Sequence, residues 1–214
     1  MTDIKMIGTV AVFLLISYLI GNISPAILIG RACGIDIKKE GSGNAGTTNV
    51  LRVLGKKAAV GTLVIDIGKG AAAVLIGRYA GQAIGGGAAD ARPMIGAVAV
   101  FLGHIWPVCF GFRGGKGVAT AFGALAALSP AMGFSLLGIV LLVVLLTKRV
   151  SAGSTCGALA APFAAHIFAP QYFYGVCIMA VIVVFKHRSN IKRLLKGEEP
   201  KLSFKDKSSG RVEK

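Results

Sequence analysis

Seven apolar runs, separated by short polar loops, constrain this chain more than any other feature: residues 6–29, 58–76, 94–110, 118–128, 133–146, 152–168 and 172–185. In lipid, a backbone must satisfy its own hydrogen bonds within the segment, so runs of this kind are read as helices. Hydrophobic residues make up 54% of the 214 and charged ones only 15%, which leaves no room for a sizeable soluble domain. The expected fold is an all-α membrane protein, a bundle of seven transmembrane helices. Several runs fall short of the ~20 residues a straight span needs. The weakest are 118–128 and 152–168, where Gly and Ala lower the hydropathy. Pro25 and Pro107 are predicted to kink or break their segments. The first run lacks a basic n-region and continues to Ile29, so it reads as a retained span rather than a signal peptide.

Loop charges give an orientation. If the segments alternate, one side receives Arg31, Lys38, Lys39, Arg52, Lys56 and Lys57, then Arg113 and Lys116, then Lys148 and Arg149, then the basic residues from Lys186 onward. The other side receives Lys5, Arg78 and Arg92 only. The positive-inside rule puts the N-terminus outside and the C-terminus in the cytoplasm of a multi-pass cell-membrane protein. An even span number would leave basic loops on both faces. The formal charge of +15 invites a nucleic-acid reading. Aromatics are few, however, and the basic residues are spread over loops, so phosphate head groups and anionic substrates are the expected partners. Cys33, Cys109, Cys156 and Cys177 form no C-x-x-C, which points to neither a zinc site nor a disulfide framework. No internal repeat is evident. Residues 1–197 are read as the transmembrane domain. Residues 198–214, polar and rich in Lys and Ser, are read as a loose basic tail that fixes orientation and touches anionic lipid.

Three polar clusters fall on the cytoplasmic side of this topology. In the first, Gly41-Ser42-Gly43-Asn44-Ala45-Gly46-Thr47-Thr48-Asn49 precedes a helical stretch carrying Arg52. Ser42, Gly43, Asn44, Thr48 and Asn49 offer hydroxyls, amides and backbone donors to an anion at a helix N-terminus, and Arg52 can fork onto a phosphate. A plain flexible loop with an N-cap is the alternative. The second cluster, Gly111-Phe112-Arg113-Gly114-Gly115-Lys116-Gly117, resembles a P-loop and fails its pattern. Phe110 stands where the first glycine belongs, and Gly117 where Ser or Thr would bind magnesium. That disfavours nucleotide hydrolysis and leaves a phosphate cradle built from Arg113, Gly114, Gly115, Lys116 and Gly117. Glycines serving only close helix packing are the alternative, which does not explain Lys116. The third cluster, Lys186 to Arg193, puts His187 and Asn190 on one face if the last helix continues past the membrane. There they can hydrogen-bond a glycerol hydroxyl and its phosphate, or be part of a basic collar.

Asp66 and Lys69 lie at i and i+3 inside the second segment, where lone charges are costly. An ion pair is the favoured reading and a place on the substrate path the next. His104 reads either as a packed, hydrogen-bonded histidine or as a ligand, and His166 as a packing or interfacial residue.

Together GSGNAGTTNVLR (Gly41–Arg52), GHIWPVCFGFRGGKGVAT (Gly103–Thr120) and HRSNIKRLLKGEE (His187–Glu199) resemble the bacterial acyl-phosphate:glycerol-3-phosphate acyltransferases of phospholipid synthesis. The resemblance implies seven transmembrane helices, a cytoplasmic active site and acyl transfer from acyl phosphate to the 1-hydroxyl of glycerol 3-phosphate. It implies that Ser42, Arg52, Lys116, His187 and Asn190 hold the two substrates' phosphates. Arg113 stands where many relatives have Lys, which keeps the charge. It also points to the acyl-phosphate-forming enzyme as a candidate partner. An acyl phosphate is a mixed anhydride, already activated, so neither a metal nor another cofactor is expected. Positioning of two anions and stabilisation of the carbonyl oxygen can carry the reaction. No Cys–His pair and no H-x-x-x-x-D signature is present, so no acyl-enzyme is expected, and the resemblance suggests that the leaving phosphate takes the hydroxyl proton. A transporter of a phosphorylated solute is the main rival. It calls for polar groups at mid-membrane open to both sides. A lipid phosphotransferase calls for an acidic magnesium cluster that these loops lack, and a purely structural membrane protein has no use for three anion-binding loops on one face.

Overall fold

The computed structural model describes the backbone of residues 2–84 and 91–202, and side chains at 7–80 and 91–202. The apolar segments are all helical. They give α1 (Thr2–Asn22) with α2 (Pro25–Ala32), α4 (Lys56–Ile84), α5 (Arg92–Ile105), α6 (Val118–Leu128), α7 (Pro130–Thr147), α8 (Val150–Phe168) and α9 (Phe173–Lys186). Two short helices lie outside those segments, α3 (Thr47–Leu54) and α10 (Arg188–Leu195). Among the described residues there is no strand. The outward faces carry exposed large apolar side chains, among them Leu15, Val64, Leu145, Phe163 and Val181, as lipid-facing surfaces do.

By length and composition four helices can cross a membrane: Ile7–Ala32 taken as one span, Lys56–Ala80, Arg92–Phe110 and Pro130–Thr147. The bent pair α9–α10 makes up to five. The expected breaks at both prolines occur. Pro25 opens α2 after a gap at Ile23 and Ser24, because its ring cannot coexist with a helical carbonyl four residues back, at Gly21. Pro107 follows the end of α5 and leads into a 3-10 turn, Val108–Phe110. As a result α5 and α6 measure only ~21 and ~16 Å at 1.5 Å per residue. Both are shorter than the ~30 Å hydrocarbon core, so the loop joining them lies within the thickness of the bundle.

Helices approach closely where glycines face backbone. A Cβ on Gly21 of α1 would lie 2.9 Å from Gly103 Cα of α5, and one on Gly123 of α6 would lie 2.8 Å from the Ile67 carbonyl carbon of α4. No larger residue fits either crossing. Beyond these crossings α4 packs on both α5 and α6, α7 on α8, and α8 on α9. The main core runs through Phe101, Ile105, Leu125, Met132, Val176 and Met179. A smaller one (Ala26, Ile27, Ile37, Ala45, Val50, Ala59) sits under the first polar loop and anchors it.

Two readings of the charges are corrected. Arg78 and Arg92 are not loop charges. Arg78 Nη2 donates to the carbonyls of Ala127 and Leu128 at 2.8 and 3.3 Å, closing the C-terminus of α6, where a cation meets the helix dipole. Arg92 is 2% exposed, and its Nη1 donates to Ala80 O at 3.3 Å. The third residue on that side, Lys5, lies outside the described side chains. The tail is also corrected. Residues 198–202 pack against the bundle, as shown below, while 203–214 lie outside the described residues.

Candidate active site

The first polar loop is a fixed turn rather than a flexible one. Asn49, 1% exposed, accepts from Ser42 N at 2.8 Å through Oδ1 and donates through Nδ2 to Ile37 O and Glu40 O at 3.1 and 3.0 Å. Its side-chain amide is therefore committed to the loop, although Asn49 also lines the cavity at the loop's edge. An amide supplies both acceptor and donor, which is what a loop crossing its own strands requires. Gly43 is also a turn residue, with φ +67° and Lys38 O 2.9 Å from where a Cβ would be. The loop leads into α3 at Thr47 behind Gly46, with no side-chain cap. Ser42, Asn44, Thr47, Thr48 and Arg52 line a large cavity, and α3 is helical through Arg52, as the sequence reading required.

The glycine loop divides its work differently from a P-loop. Gly114 N donates to Ile105 O and Gly115 N to His104 O, both at 3.2 Å, so these amides close the end of α5. A Cβ on Gly114 would fall 2.7 Å from Pro107 Cδ, and one on Gly115 would fall 2.8 Å from Ala45 O. Arg113 is exposed and does not line the cavity. The amides of Gly114 and Gly115 are thus taken up by α5 rather than left open as a cradle, and the two glycines allow close packing. Gly117, with φ +83° at the N-cap of α6, lines the cavity with Lys116, Val118 and Ala119. The open amides of a helix's first turn lie here.

The last cluster is not one continuous helix. The chain bends 57° between Pro170–Lys186 and Arg188–Leu195, which corrects the expectation of a helix running on. His187 sits at the corner. Its Nδ1 lies 2.8 Å from Val183 O, which can only accept, so Nδ1 carries the proton and Nε2 holds the lone pair. Desolvation, then the Lys116 charge, pulls the imidazole pKa down to about 4, so the ring is neutral at physiological pH. Asn190, one turn on, accepts from Lys116 Nζ through Oδ1.

Beneath it lies a residue assigned no role from the sequence. Glu199, 5% exposed, accepts from Asn190 Nδ2 at 2.6 Å, Ser151 Oγ at 2.7 Å and Arg193 Nε at 2.7 Å. Burial alone would push its carboxyl pKa up. The hydrogen bonds from Ser151, Asn190 and Arg193, with the Arg193 charge, outweigh that and hold it below the usual value. Arg149 Nε donates to Glu199 O at 3.0 Å, and Leu202 N to Lys148 O at 2.6 Å. Residues 197–202 thus strap the α9–α10 corner to the start of α8. The available signal was one acid pair, Glu198-Glu199, in an otherwise basic run; polarity made the run read as a tail.

The cavity, about 650 Å³, has two ends. Its mouth gathers Ser42, Arg52, Lys116, His187, Asn190 and Arg193; its depth is apolar, with Leu125, Leu136, Val140, Ala161, Val176 and Met179. Asp66 and His104 also line it. Asp66 Oδ1 lies 2.8 Å from Lys69 Nζ and 3.2 Å from His104 Nδ1, with Lys69 Nζ 2.9 Å from that nitrogen. Lys69 also donates to Gly21 O at 3.2 Å and Ile23 O at 2.6 Å, the carbonyls released by the break at Pro25. The expected ion pair is present, joined by His104, and ties α1, α4 and α5 together next to Gly115. His166 is exposed and meets the Phe173 ring edge-on at 6.2 Å between centroids, a packing role.

Fold and site define an integral membrane protein in which a cationic, amide-rich mouth opens onto an apolar channel, an arrangement suited to an enzyme of phosphorylated and lipid substrates. Residues 11–197 match the family model described as glycerol-3-phosphate acyltransferase. A glycerol-3-phosphate acyltransferase of Thermoanaerobacter sp. is 47% identical over 194 residues, 89% of this chain and 94% of the relative. That of Shigella flexneri is 45% identical over 195 residues, 91% and 92% of the two chains. Among solved structures, the integral membrane glycerol 3-phosphate acyltransferase PlsY in its glycerol 3-phosphate form superposes with TM-score 0.82 at 31% identity, covering 91% of this chain and 96% of that one. Its lysophosphatidic acid form gives 0.81 at 32% identity, covering 92% and 96%. This chain belongs to the glycerol-3-phosphate acyltransferase family.

Proposed function

We propose that this chain transfers a fatty acyl group from an acyl phosphate to the 1-hydroxyl of glycerol 3-phosphate, giving lysophosphatidic acid and phosphate in the first acylation of phospholipid synthesis. The observation that carries this reading is the junction of a cationic mouth and an apolar channel in one cavity. Such a junction suits a donor with a charged phosphate at one end of a hydrocarbon chain. The solved relative in glycerol 3-phosphate and lysophosphatidic acid forms supports the acceptor and product.

In this scheme Lys116 and Arg52 hold phosphate charge, Lys116 steadied by Asn190, and Ser42 and the first turn of α3 add donors. His187 Nε2 accepts the hydrogen bond of the glycerol 1-hydroxyl and aligns its oxygen. With a pKa of about 4 the imidazole is too weak a base to keep that proton at neutral pH. The hydroxyl oxygen attacks the acyl carbon and the carbon–oxygen bond to phosphate breaks. The departing phosphate keeps the bonding electrons and accepts the proton. No side chain is acylated. Two anions held together supply most of the advantage, and the cations at the mouth stabilise charge on the carbonyl oxygen.

The topology that goes with this reading has seven crossings, an outer N-terminus and a cytoplasmic site in the cell membrane. It is supported by the basic residues of the 31–57, 113–116 and 148–149 loops. The catalytic domain extends through Leu202. The deciding experiment is an assay of purified protein with glycerol 3-phosphate and palmitoyl phosphate, with palmitoyl thioester in parallel. Expected is lysophosphatidic acid from the phosphate donor alone. No product from either donor, or labelled glycerol 3-phosphate carried into sealed vesicles without product, would reject the reading.

A further inference from the structure

We propose that the channel is a blind one whose closed end sets the acyl length the protein can grip; this rests on the acyl-transfer reading above. Along α8 the cavity is lined by Ser151, Ser154, Gly157, Ala158 and Ala161, a stripe at helical spacing whose small side chains leave the room. Facing it on α9 are Val183, Ala180, Met179 and Val176. The next residues in register do not line it. Ala165 on α8 and Met132 on α7 are 0% exposed and Leu128 at the end of α6 is 6% exposed, all members of the main core. Together they form a floor. Val176, the deepest lining residue of α9, is itself 0% exposed, so the channel narrows to closure there.

The length follows from the helices. Ser151 to Ala161 is ten residues and His187 to Val176 eleven, so at ~1.5 Å per residue the channel is roughly 15 Å deep, about twelve extended methylenes. The wall is also open at one side. Leu63 of α4 and Leu141 of α7 line the cavity yet are 38% and 51% exposed, and α6 lies between these two helices, packed on both. Carbons beyond the floor's reach therefore turn out past the exposed side chains of Leu63 and Leu141 into lipid, where they gain nothing from the protein.

The experiment is a donor series of acyl phosphates from eight to eighteen carbons, in one detergent, with each protein normalised to its own C8 rate. In the wild type kcat/KM should rise about threefold to fourfold per added methylene while the channel fills, then level off at roughly C12–C14. Ala161→Phe puts a ring above the floor and should lower the break by about four carbons; Met132→Ala removes part of the floor and should raise it by about two. Breaks that move in these opposite directions establish the ruler. A wild-type series with no break up to C18, or a break unmoved in both variants, overturns it while leaving acyl transfer intact. If Ala161→Phe gives no measurable transfer, Met132→Ala decides alone. Absence of transfer from every donor in the wild type rejects the functional reading itself, and the ruler with it.

Discussion

Desolvation of Lys116 lowers its pKa to about 8; the Glu199 charge opposes the shift, and Arg193, Arg52 and Lys186 add to it. The unliganded protein therefore loses this cation as pH rises through 8, whereas a bound dianion raises the pKa again. Since kcat/KM reports the free enzyme, its value for glycerol 3-phosphate should fall about tenfold per pH unit above pH 8. The limb of kcat should lie at higher pH. Lys116→Arg should carry the kcat/KM limb out of the accessible range, and Lys116→Ala should cost about a hundredfold to a thousandfold at pH 7. A wild-type profile flat to pH 9.5 would refute the assignment. The sequence singles out Lys116, because a lysine between glycines has no packing purpose, and the structure puts it on the cavity wall. Asn49, Gly114 and Gly115 are ambiguous in the sequence, since an amide or a glycine serves a turn as readily as a ligand. Only the partners at Ser42, Ile37 and Glu40 for the first, and at Ile105 and His104 for the others, distinguish the two uses.

Among the elements, the corner between α9 and α10 was least visible in the sequence. His187 and Asn190 have helical spacing, and nothing in their identities announces a 57° bend. What holds the bend is remote in sequence: Glu199 receives Asn190, Arg193 and, from α8, Ser151. Glu199→Gln leaves the volume unchanged but turns one acceptor oxygen into an amide NH2. The remaining oxygen can keep the buried donors of Ser151 and Asn190, and the partly exposed Arg193 Nε loses its charged acceptor. Such a loss, partly made up by water, costs about 1–2 kcal/mol, and in a chain of this size should lower the unfolding midpoint by roughly 2–8 °C. The folded carboxyl titrates below its ordinary value, so this stabilisation is complete above that value and fades as pH falls beneath it. The gap between wild type and variant should accordingly narrow on acidification. Asn190 would be held by a neutral oxygen rather than a carboxylate, a weaker anchor, and KM for glycerol 3-phosphate should rise. Equal melting curves for the two proteins at pH 7.5 would show that the strap carries no load. The prolines were more legible, because the missing N–H and fixed φ of Pro25 and Pro107 act locally.

At the scale of the molecule, composition and segment count were enough to find every long helix, because lipid permits little else. Helix lengths were not legible. The shortness of α5 and α6 follows from Pro107 and from a glycine loop that needs contact with His104 and Ala45 rather than with water. Arg78 and Arg92 close helix ends, so the sidedness now rests on the basic mouth itself against turns such as Pro170–Tyr172, which carry no charge. A labelling experiment tests it directly. Cys33, just after α2, is exposed, as is Gln171 in that turn; by the proposed topology they lie on opposite faces. In a protein keeping only Cys33, a membrane-impermeant maleimide should react after the membrane is opened and not in intact cells. With the four native cysteines removed, Gln171→Cys should react in intact cells. The reverse pattern would put the phosphate mouth outside, away from cytoplasmic acyl donors, and reaction of both in intact cells would break the alternation on which seven crossings depend.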